Sequence, residues 1–253
     1  MKSSGQLIPV DVSGAVRREL FGASLAEMPP AMASWLDGVR PYYRSGGILI
    51  IKGDCRRILP HFPPSWFDLL LSDPPYGINY DTNAKGNKGG GRKRYKPVFG
   101  DDRAFAPSHL LGFKNAILWG ANYYADRLPR STKWLVWDKR QGRGQNCQSD
   151  CEMAWTSGLD GVSTRAFYHY WNGACRESER GVPRLHPTQK PEALMRWCLG
   201  LFPKAQSVLD PYMGAGTTLV AAKQLGLRAV GIEMDEQYCR DAANRLEQTQ
   251  VLN

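Results

Sequence analysis

One short run combines a carboxylate, two prolines and an aromatic ring: Asp73-Pro74-Pro75-Tyr76. It follows residues 67–72, a mostly apolar run typical of a buried strand, so its polar groups should lie at the carboxyl edge of a sheet. The Asp73 carboxylate and the Pro74 carbonyl can accept the two hydrogens of an exocyclic amino group and raise the lone-pair density on its nitrogen. Rigid prolines and a stacking face on Tyr76 complete a predicted pocket for a base. The alternative is a plain proline turn after a strand.

Residues 210–218, with the sequence DPYMGAGTT, connect a predicted strand to a predicted helix. Doubly wound folds bind nucleotides at such a connection, and the two glycines let a ligand approach the backbone. Glu233 ends the next predicted strand, 23 residues after Asp210, where its carboxylate can accept hydrogen bonds from ribose hydroxyls. A third glycine is missing at the dinucleotide spacing, and the chain has no P-loop sequence. The run therefore predicts a nucleoside-type cofactor site, with a tight turn that binds nothing as the alternative.

Apolar and β-branched runs predict eight strands, at 48–51, 67–72, 116–119, 134–138, 152–156, 164–170, 207–210 and 228–233. Helical patterns lie among them. Pro191 can start a helix over 192–202, and Gly226 can end another over 217–225. Asp235 can cap a last helix. Strands alternating with helices of these lengths predict an α/β fold with a doubly wound, mostly parallel sheet.

Composition and charge suit one catalytic domain that binds a polyanion. The chain has 253 residues, is 42% hydrophobic and carries a formal net charge of +9. We assign residues 47–253 to the domain and 1–46 to a variable N-terminal extension. The glycine-rich stretch 77–102 is predicted to be a mobile basic loop, with a solvated linker as the alternative. Its predicted phosphate-binding cations are Lys85, Lys88, Arg92, Lys93, Arg94 and Lys96.

The six cysteines are spread along the chain and fit reduced thiols of a cytoplasmic protein better than a disulfide scaffold. Cys147 and Cys151, with His169 or Cys175, match no common zinc spacing, so no metal is predicted. No apolar run is long enough to cross a bilayer.

Three short motifs follow one another along the chain: residues 73–76, then His186-Pro187-Thr188-Gln189-Lys190-Pro191, then 210–218. In this order they resemble the motifs of the β-class, circularly permuted, S-adenosylmethionine-dependent DNA amino-methyltransferases of the adenine-N6 type. The resemblance extends from Gly53 to about Glu233. It implies a circularly permuted, Rossmann-like, seven-stranded sheet and methyl transfer to the N6 amino group of adenine in DNA. The target base must then be flipped out of the duplex or arrive single-stranded.

By this resemblance Asp73, Pro74, Pro75 and Tyr76 are catalytic. The implied cofactor-binding residues are Asp54, Thr188, Lys190, Asp210, Met213, Gly214, Gly216, Thr217 and Glu233. Among them, Asp210 and the two glycines would contact the methionine part, Glu233 the ribose and Asp54 the adenine ring, while Thr188 and Lys190 support the carboxylate end. For Asp54 a turn acid is the alternative, and for Lys190 a solvated cation. Tyr212 departs from the phenylalanine usual in the family.

Several alternatives remain at this point. The same two acceptors would serve the N4 amino group of cytosine, although Asp rather than Ser at position 73 favours adenine in this family. RNA or protein-glutamine methylation is less consistent with the motif order, and a non-catalytic DNA binder would not need Asp73 and Asp210. No general base is required when positioning supplies the catalysis, and His186, beside two prolines, is interpreted as structural. Residues 157–185 are a short candidate for target recognition, and a homodimer and a restriction partner stay open.

Overall fold

The computed structural model describes residues 41–81, 95–143, 149–161, 164–172 and 175–252. Most of the predicted N-terminal extension lies outside these ranges. Five of the six predicted phosphate-binding cations also lie outside them: Lys85, Lys88, Arg92, Lys93 and Arg94.

Nine strands form one mixed sheet in the order β1-β2-β11-β10-β3-β4-β6-β5-β7, and β8 and β9 form a separate antiparallel pair. The strands are β1 (Tyr43–Ser45), β2 (Ile48–Lys52), β3 (Leu69–Ser72), β4 (Ala116–Trp119), β5 (Trp134–Asp138), β6 (Cys151–Ser157), β7 (Arg165–Tyr168), β8 (Trp171–Asn172), β9 (Cys175–Arg176), β10 (Ser207–Asp210) and β11 (Arg228–Glu233). The helices are α1 (Cys55–Ile58), α2 (Glu192–Gly200), α3 (Thr217–Gln224) and α4 (Glu236–Gln248). The α/β fold with a mostly parallel sheet is confirmed.

The predicted number of seven strands is wrong, because short strands extend the sheet at both edges. β1 pairs with β2 in an antiparallel hairpin through Gly46 and Gly47, both at positive φ. It lies within the range assigned to the extension, so the sheet begins before residue 47. β7 pairs with β5, and its side chains are mostly exposed. Partly exposed three- and four-residue strands carry little apolar pattern, which is why sequence periodicity does not delimit such edges.

The central strands are buried on both faces. Along β3, Leu69 and Leu71 pack into one apolar cluster, while Leu70 packs into the other. The first cluster joins the sheet to α2, α3 and α4, and the second joins it to α1 and the loop that carries Phe105. This two-sided burial explains the continuous apolar runs of the parallel strands. Among the described helices, none combines the length and apolar character needed to cross a membrane.

The strand directions bring many chain segments to one edge of the sheet. β2, β11, β10, β3 and β4 run parallel, so their carboxyl ends lie together. β6 runs antiparallel to both β4 and β5, so its first residues lie at that same edge, with Glu152 opposite Trp137. The carboxyl edge therefore receives the ends of the parallel strands and the beginning of β6.

Candidate active site

A cavity of about 1040 Å³ opens at the carboxyl edge of the sheet. It is large enough for a nucleoside-type cofactor together with a base. Twelve of the thirteen predicted catalytic and cofactor-binding residues line it: Asp54, Asp73, Pro74, Pro75, Tyr76, Thr188, Lys190, Asp210, Met213, Gly214, Thr217 and Glu233. The structure thus brings all three sequence runs to one space.

Asp73 immediately follows β3, and both of its carboxylate oxygens accept hydrogen bonds. Oδ1 accepts from the Tyr76 hydroxyl at 2.6 Å, and Oδ2 accepts from the Lys190 ammonium at 2.6 Å. Lys190 also donates to the Tyr76 oxygen at 2.9 Å. Burial raises the pKa of Asp73, although the Lys190 cation opposes this rise. Lys190 was assigned to the cofactor carboxylate, but its ammonium group lies on Asp73, at the predicted amine end of the cavity.

A second, half-buried carboxylate, Glu152, completes this charged group. Its Oε2 lies 3.0 Å from the Lys190 Nζ, and its Oε1 accepts a hydrogen bond from Lys139 at 2.8 Å. Burial opposes the ionisation of Glu152, but the two ammonium groups prevail and lower its pKa to about 2. Neither Glu152 nor Lys139 was predicted as a site residue. Glu152 reaches the carboxyl edge because β6 runs in the reverse direction, and Lys139 reaches it because it follows β5.

The Tyr76 ring is stacked on the Tyr123 ring, with centroids 5.2 Å apart and planes inclined by 16°. Gly120, which follows β4, has a φ of +69°, and a Cβ atom there would overlap the Tyr76 ring. The absence of a side chain at Gly120 therefore makes room for Tyr76. Tyr123 was not predicted as a site residue, since its position depends on the turn after β4.

Asp210 ends β10 and is 3% exposed. Its Oδ1 accepts hydrogen bonds from the Ser72 hydroxyl at 2.7 Å and from the Tyr212 backbone N–H at 3.1 Å. Burial raises the pKa of Asp210 to about 6, against the effect of these hydrogen bonds. Ser72 directly precedes Asp73, so this contact ties the end of β10 to the predicted catalytic run.

Glu233 organises the backbone of the neighbouring loop. Its Oε2 accepts from the Gly214 N–H at 3.0 Å, and its Oε1 accepts from the Asp235 N–H at 2.8 Å. Gly214 has a φ of +51°, and a Cβ atom there would lie 3.5 Å from the His186 ring. The glycine loop and the acid at the end of β11 therefore form one hydrogen-bonded wall of the cavity.

Gly216 is placed differently from the other predicted cofactor-binding residues. It does not line the cavity, and a Cβ atom there would lie 2.7 Å from the Ala242 Cβ of α4. Gly216 is the N-cap residue of α3 and has a φ of +75°. Close packing between the loop and α4 is sufficient to require a glycine here. Local sequence cannot distinguish these two uses of a glycine.

Arg245, which was not predicted as a site residue, holds the start of α3. Arg245 donates to the Ala215 carbonyl at 2.7 Å and to the Thr217 hydroxyl at 3.1 Å. Its other terminal nitrogen donates to Glu192 at 2.9 Å. These hydrogen bonds fix Thr217. They also join α4 to the glycine loop through the Arg245 side chain.

His186 and Thr188 form a local pair beside the glycine loop. The Thr188 hydroxyl lies 3.1 Å from the His186 Nδ1, and the His186 ring packs against Tyr238. Burial lowers the pKa of His186 to about 4, which keeps the ring neutral near pH 7. These contacts agree with a structural function for His186.

Two further predicted positions have defined partners. The Asp54 carboxylate caps α1 by accepting from the Arg56 N–H at 2.9 Å, so it is a turn acid that also lines the cavity. The Tyr212 hydroxyl lies 2.8 Å from the His109 Nε2. This hydrogen bond gives the tyrosine a partner that a phenylalanine would not need.

Lys96, the one predicted phosphate-binding cation among the described residues, is paired. Its ammonium lies 2.6 Å from an Asp235 carboxylate oxygen, although 65% of its side chain is exposed. Asp235 also caps α4. Lys96 therefore connects the end of the basic loop to the wall formed by Glu233, and its charge is already balanced.

A family model described as DNA methylase, of the N6 and N4 methyltransferases, matches residues 126–244. That stretch contains the loop after β10, Glu233 and the run from His186 to Pro191. It does not contain Asp73.

Two curated relatives extend the likeness over 82% of this chain. The type II methyltransferase M2.DpnII of Streptococcus pneumoniae is 25% identical, with 92% of its own length covered. The type II methyltransferase M.ScaI of Streptomyces caespitosus is 26% identical, with 84% covered. The solved structure of the cytosine-N4-specific PvuII DNA methyltransferase has the same fold, with a TM-score of 0.54 at 15% identity over 82% of this chain and 89% of that one. Over residues 126–244 the chain is similar to the DNA methylases that this family model describes.

Proposed function

We propose that this protein transfers a methyl group from S-adenosylmethionine to the N6 amino group of adenine in DNA. The observation that carries the proposal is the placement of Asp73 and Pro74 in the same cavity as Asp210, Gly214 and Glu233. An amine-binding end and a nucleoside-binding end thus share one space. This arrangement lets a methyl donor and an acceptor nitrogen meet without crossing solvent.

The cofactor end fits S-adenosylmethionine in two respects. Asp210 is a buried carboxylate whose hydrogen-bond donors, Ser72 and Tyr212, are neutral, so a cationic amino group is the complement it favours. Gly214 leaves the adjacent wall free of a side chain, and Glu233 is placed to accept from ribose hydroxyls. When bound, S-adenosylmethionine supplies a methyl group on a positively charged sulfur.

Catalysis by the chain itself is mainly a matter of positioning. Asp73 and the Pro74 carbonyl would hold the two amino hydrogens, which raises the electron density on the nitrogen and aims its lone pair. Tyr76, supported by Tyr123, offers a ring face beside that amine. Burial lowers the pKa of His186 to about 4 and its ring packs against Tyr238, so it is a weak base, and we assign it a structural function.

DNA is the proposed substrate, on the strength of the family and of the type II methyltransferases M2.DpnII and M.ScaI. The Asp73 side chain lies inside the cavity and is only 20% exposed, so the target base must leave the duplex or arrive single-stranded. We further propose a restriction-modification context, as the names of those relatives suggest. Residues 157–185 are the proposed recognition segment, in which Tyr168 is 66% exposed and the Arg176 guanidinium lies over the Trp171 ring.

A labelled-methyl assay tests the proposal. The purified protein is incubated with S-adenosylmethionine labelled on its methyl group and with duplex DNA, and label retained on the DNA is counted. Transfer by the wild type and its loss in Asp73→Ala are expected. A protein that shifts DNA in a gel but leaves it unlabelled would be a binder and not an enzyme.

A further inference from the structure

The group that must hold the target amine is already occupied by a side chain of the protein. The Lys190 ammonium lies 2.6 Å from the Asp73 Oδ2 and 2.9 Å from the Tyr76 oxygen. An ammonium group presents N–H donors to a carboxylate in the same way as an amino group does. Lys190 is therefore bound where the proposed function requires the N6 amino group to bind.

We propose that Lys190 is a placeholder for the target amine and that Glu152 is the positioning residue that receives it when a base enters. This inference rests on the proposed methyl transfer at Asp73. The Glu152 Oε2 already lies 3.0 Å from the Lys190 Nζ, so the ammonium can leave Asp73 without losing its second carboxylate.

Burial makes such a receiver necessary. The Lys190 side chain is 6% exposed, so its charge cannot move into water when the amine displaces it from Asp73. A buried cation without a partner is strongly unfavourable. Glu152 is held in place from its other side by Lys139, at 2.8 Å, and by its position at the start of β6. It thus offers a fixed anion beside Asp73, within reach of both the Lys190 ammonium at 3.0 Å and the Tyr76 hydroxyl at 3.3 Å.

Charge movement during the reaction gives Glu152 a second effect. Methyl transfer moves positive charge from the sulfur to the amine nitrogen, which is bound beside Lys190. An ammonium group nearby would oppose this charge, and an adjacent anion reduces the opposition. Glu152 would therefore assist both entry of the base and transfer, through Lys190 and without contact to the base.

Glu152→Gln preserves the shape of the side chain and removes its charge. We expect kcat/KM for DNA to fall by roughly tenfold or more, while the Kd for S-adenosylmethionine changes by less than about twofold. Adding Lys190→Met should restore most of the lost activity, because the placeholder is then gone. Glu236→Gln, which removes a carboxylate from an exposed ion pair with Lys52, is the matched control and should behave as the wild type.

Lys190→Met alone keeps the test decisive if Glu152→Gln does not fold. With Asp73 ionised, this variant should have a KM for DNA no higher than that of the wild type. Its Kd for S-adenosylmethionine should be unchanged. A raised KM for DNA or a weakened cofactor would show that Lys190 contacts a ligand, which overturns the inference. Equal activity of Glu152→Gln and wild type, or additive losses in the double variant, would also overturn it. Failure of the wild type to methylate DNA would instead reject the proposed function.

Discussion

Asp73 is the residue on which the proposed chemistry depends most, because its carboxylate polarises the target amine. Asp73→Ala should lower the single-turnover rate of methyl transfer by about two orders of magnitude, the usual scale for losing one preorganised polar group. Calorimetry should find cofactor binding nearly unchanged, since Asp210 and Glu233 remain. A variant with near-normal transfer would show that this carboxylate does not hold the amine.

Asp210 gives the cofactor site a predictable pH dependence. Burial raises its pKa to about 6, so the carboxylate becomes neutral as the pH falls through that value. A neutral acid attracts the amino group of S-adenosylmethionine less, so the affinity should fall by about tenfold per pH unit below 6. Calorimetry between pH 5 and 8 measures this. Asp210→Asn should bind S-adenosylmethionine weakly at every pH. If this variant kept the wild-type pH dependence, the group that titrates would be a residue other than Asp210.

At the scale of elements, the fit between the glycine loop and α4 predicts a stability difference between two glycines. Gly216 and Gly226 both have positive φ, but a Cβ atom meets Ala242 at 2.7 Å only at Gly216, and nothing within 4 Å at Gly226. Gly216→Ala should lower the free energy of unfolding by roughly 2 to 4 kcal/mol, and Gly226→Ala by about 1 kcal/mol. Urea denaturation compares the two. Equal losses would mean that strain alone, and not packing against α4, requires Gly216.

The elements also show what sequence can and cannot predict here. β4, β5, β10 and β11 have the predicted bounds, because β4, β10 and β11 are buried and give continuous apolar runs, while β5 is bounded by polar residues. Asp73, Asp210 and Glu233 could be placed together, since parallel strands end at one edge of the sheet. Glu152 could not, because a residue at the start of a strand reaches that edge only if the strand runs backwards. That direction is set by pairing partners distant in sequence.

At the scale of the whole molecule, a net charge of +9 and the basic loop predict a salt-dependent contact with DNA. Changing Arg92, Lys93 and Arg94 to Gln should weaken DNA binding for all sequences alike. It should flatten the slope of log affinity against log salt by about 2 to 3. Lys96 is already paired with Asp235, so it is not expected to add to this slope.

A matched control uses cations on the other side of the molecule. Lys114 and Lys204 are exposed and lie just before β4 and β10, at the edge of the sheet opposite the cavity. Changing both to Gln should leave the salt slope nearly unchanged. If the loop variant also kept the wild-type slope, the phosphates would have to bind elsewhere on the protein.

The central claim is transfer to the N6 amino group of adenine in DNA, and the nucleoside that carries the methyl group tests it most directly. DNA from cells that express the wild type or Asp73→Ala is digested to nucleosides and analysed by mass spectrometry. The proposed chemistry predicts that DNA from cells with the wild type contains N6-methyldeoxyadenosine. DNA from cells with the variant should not contain it. N4-methylcytosine in its place, or no methylated base, would contradict the claim.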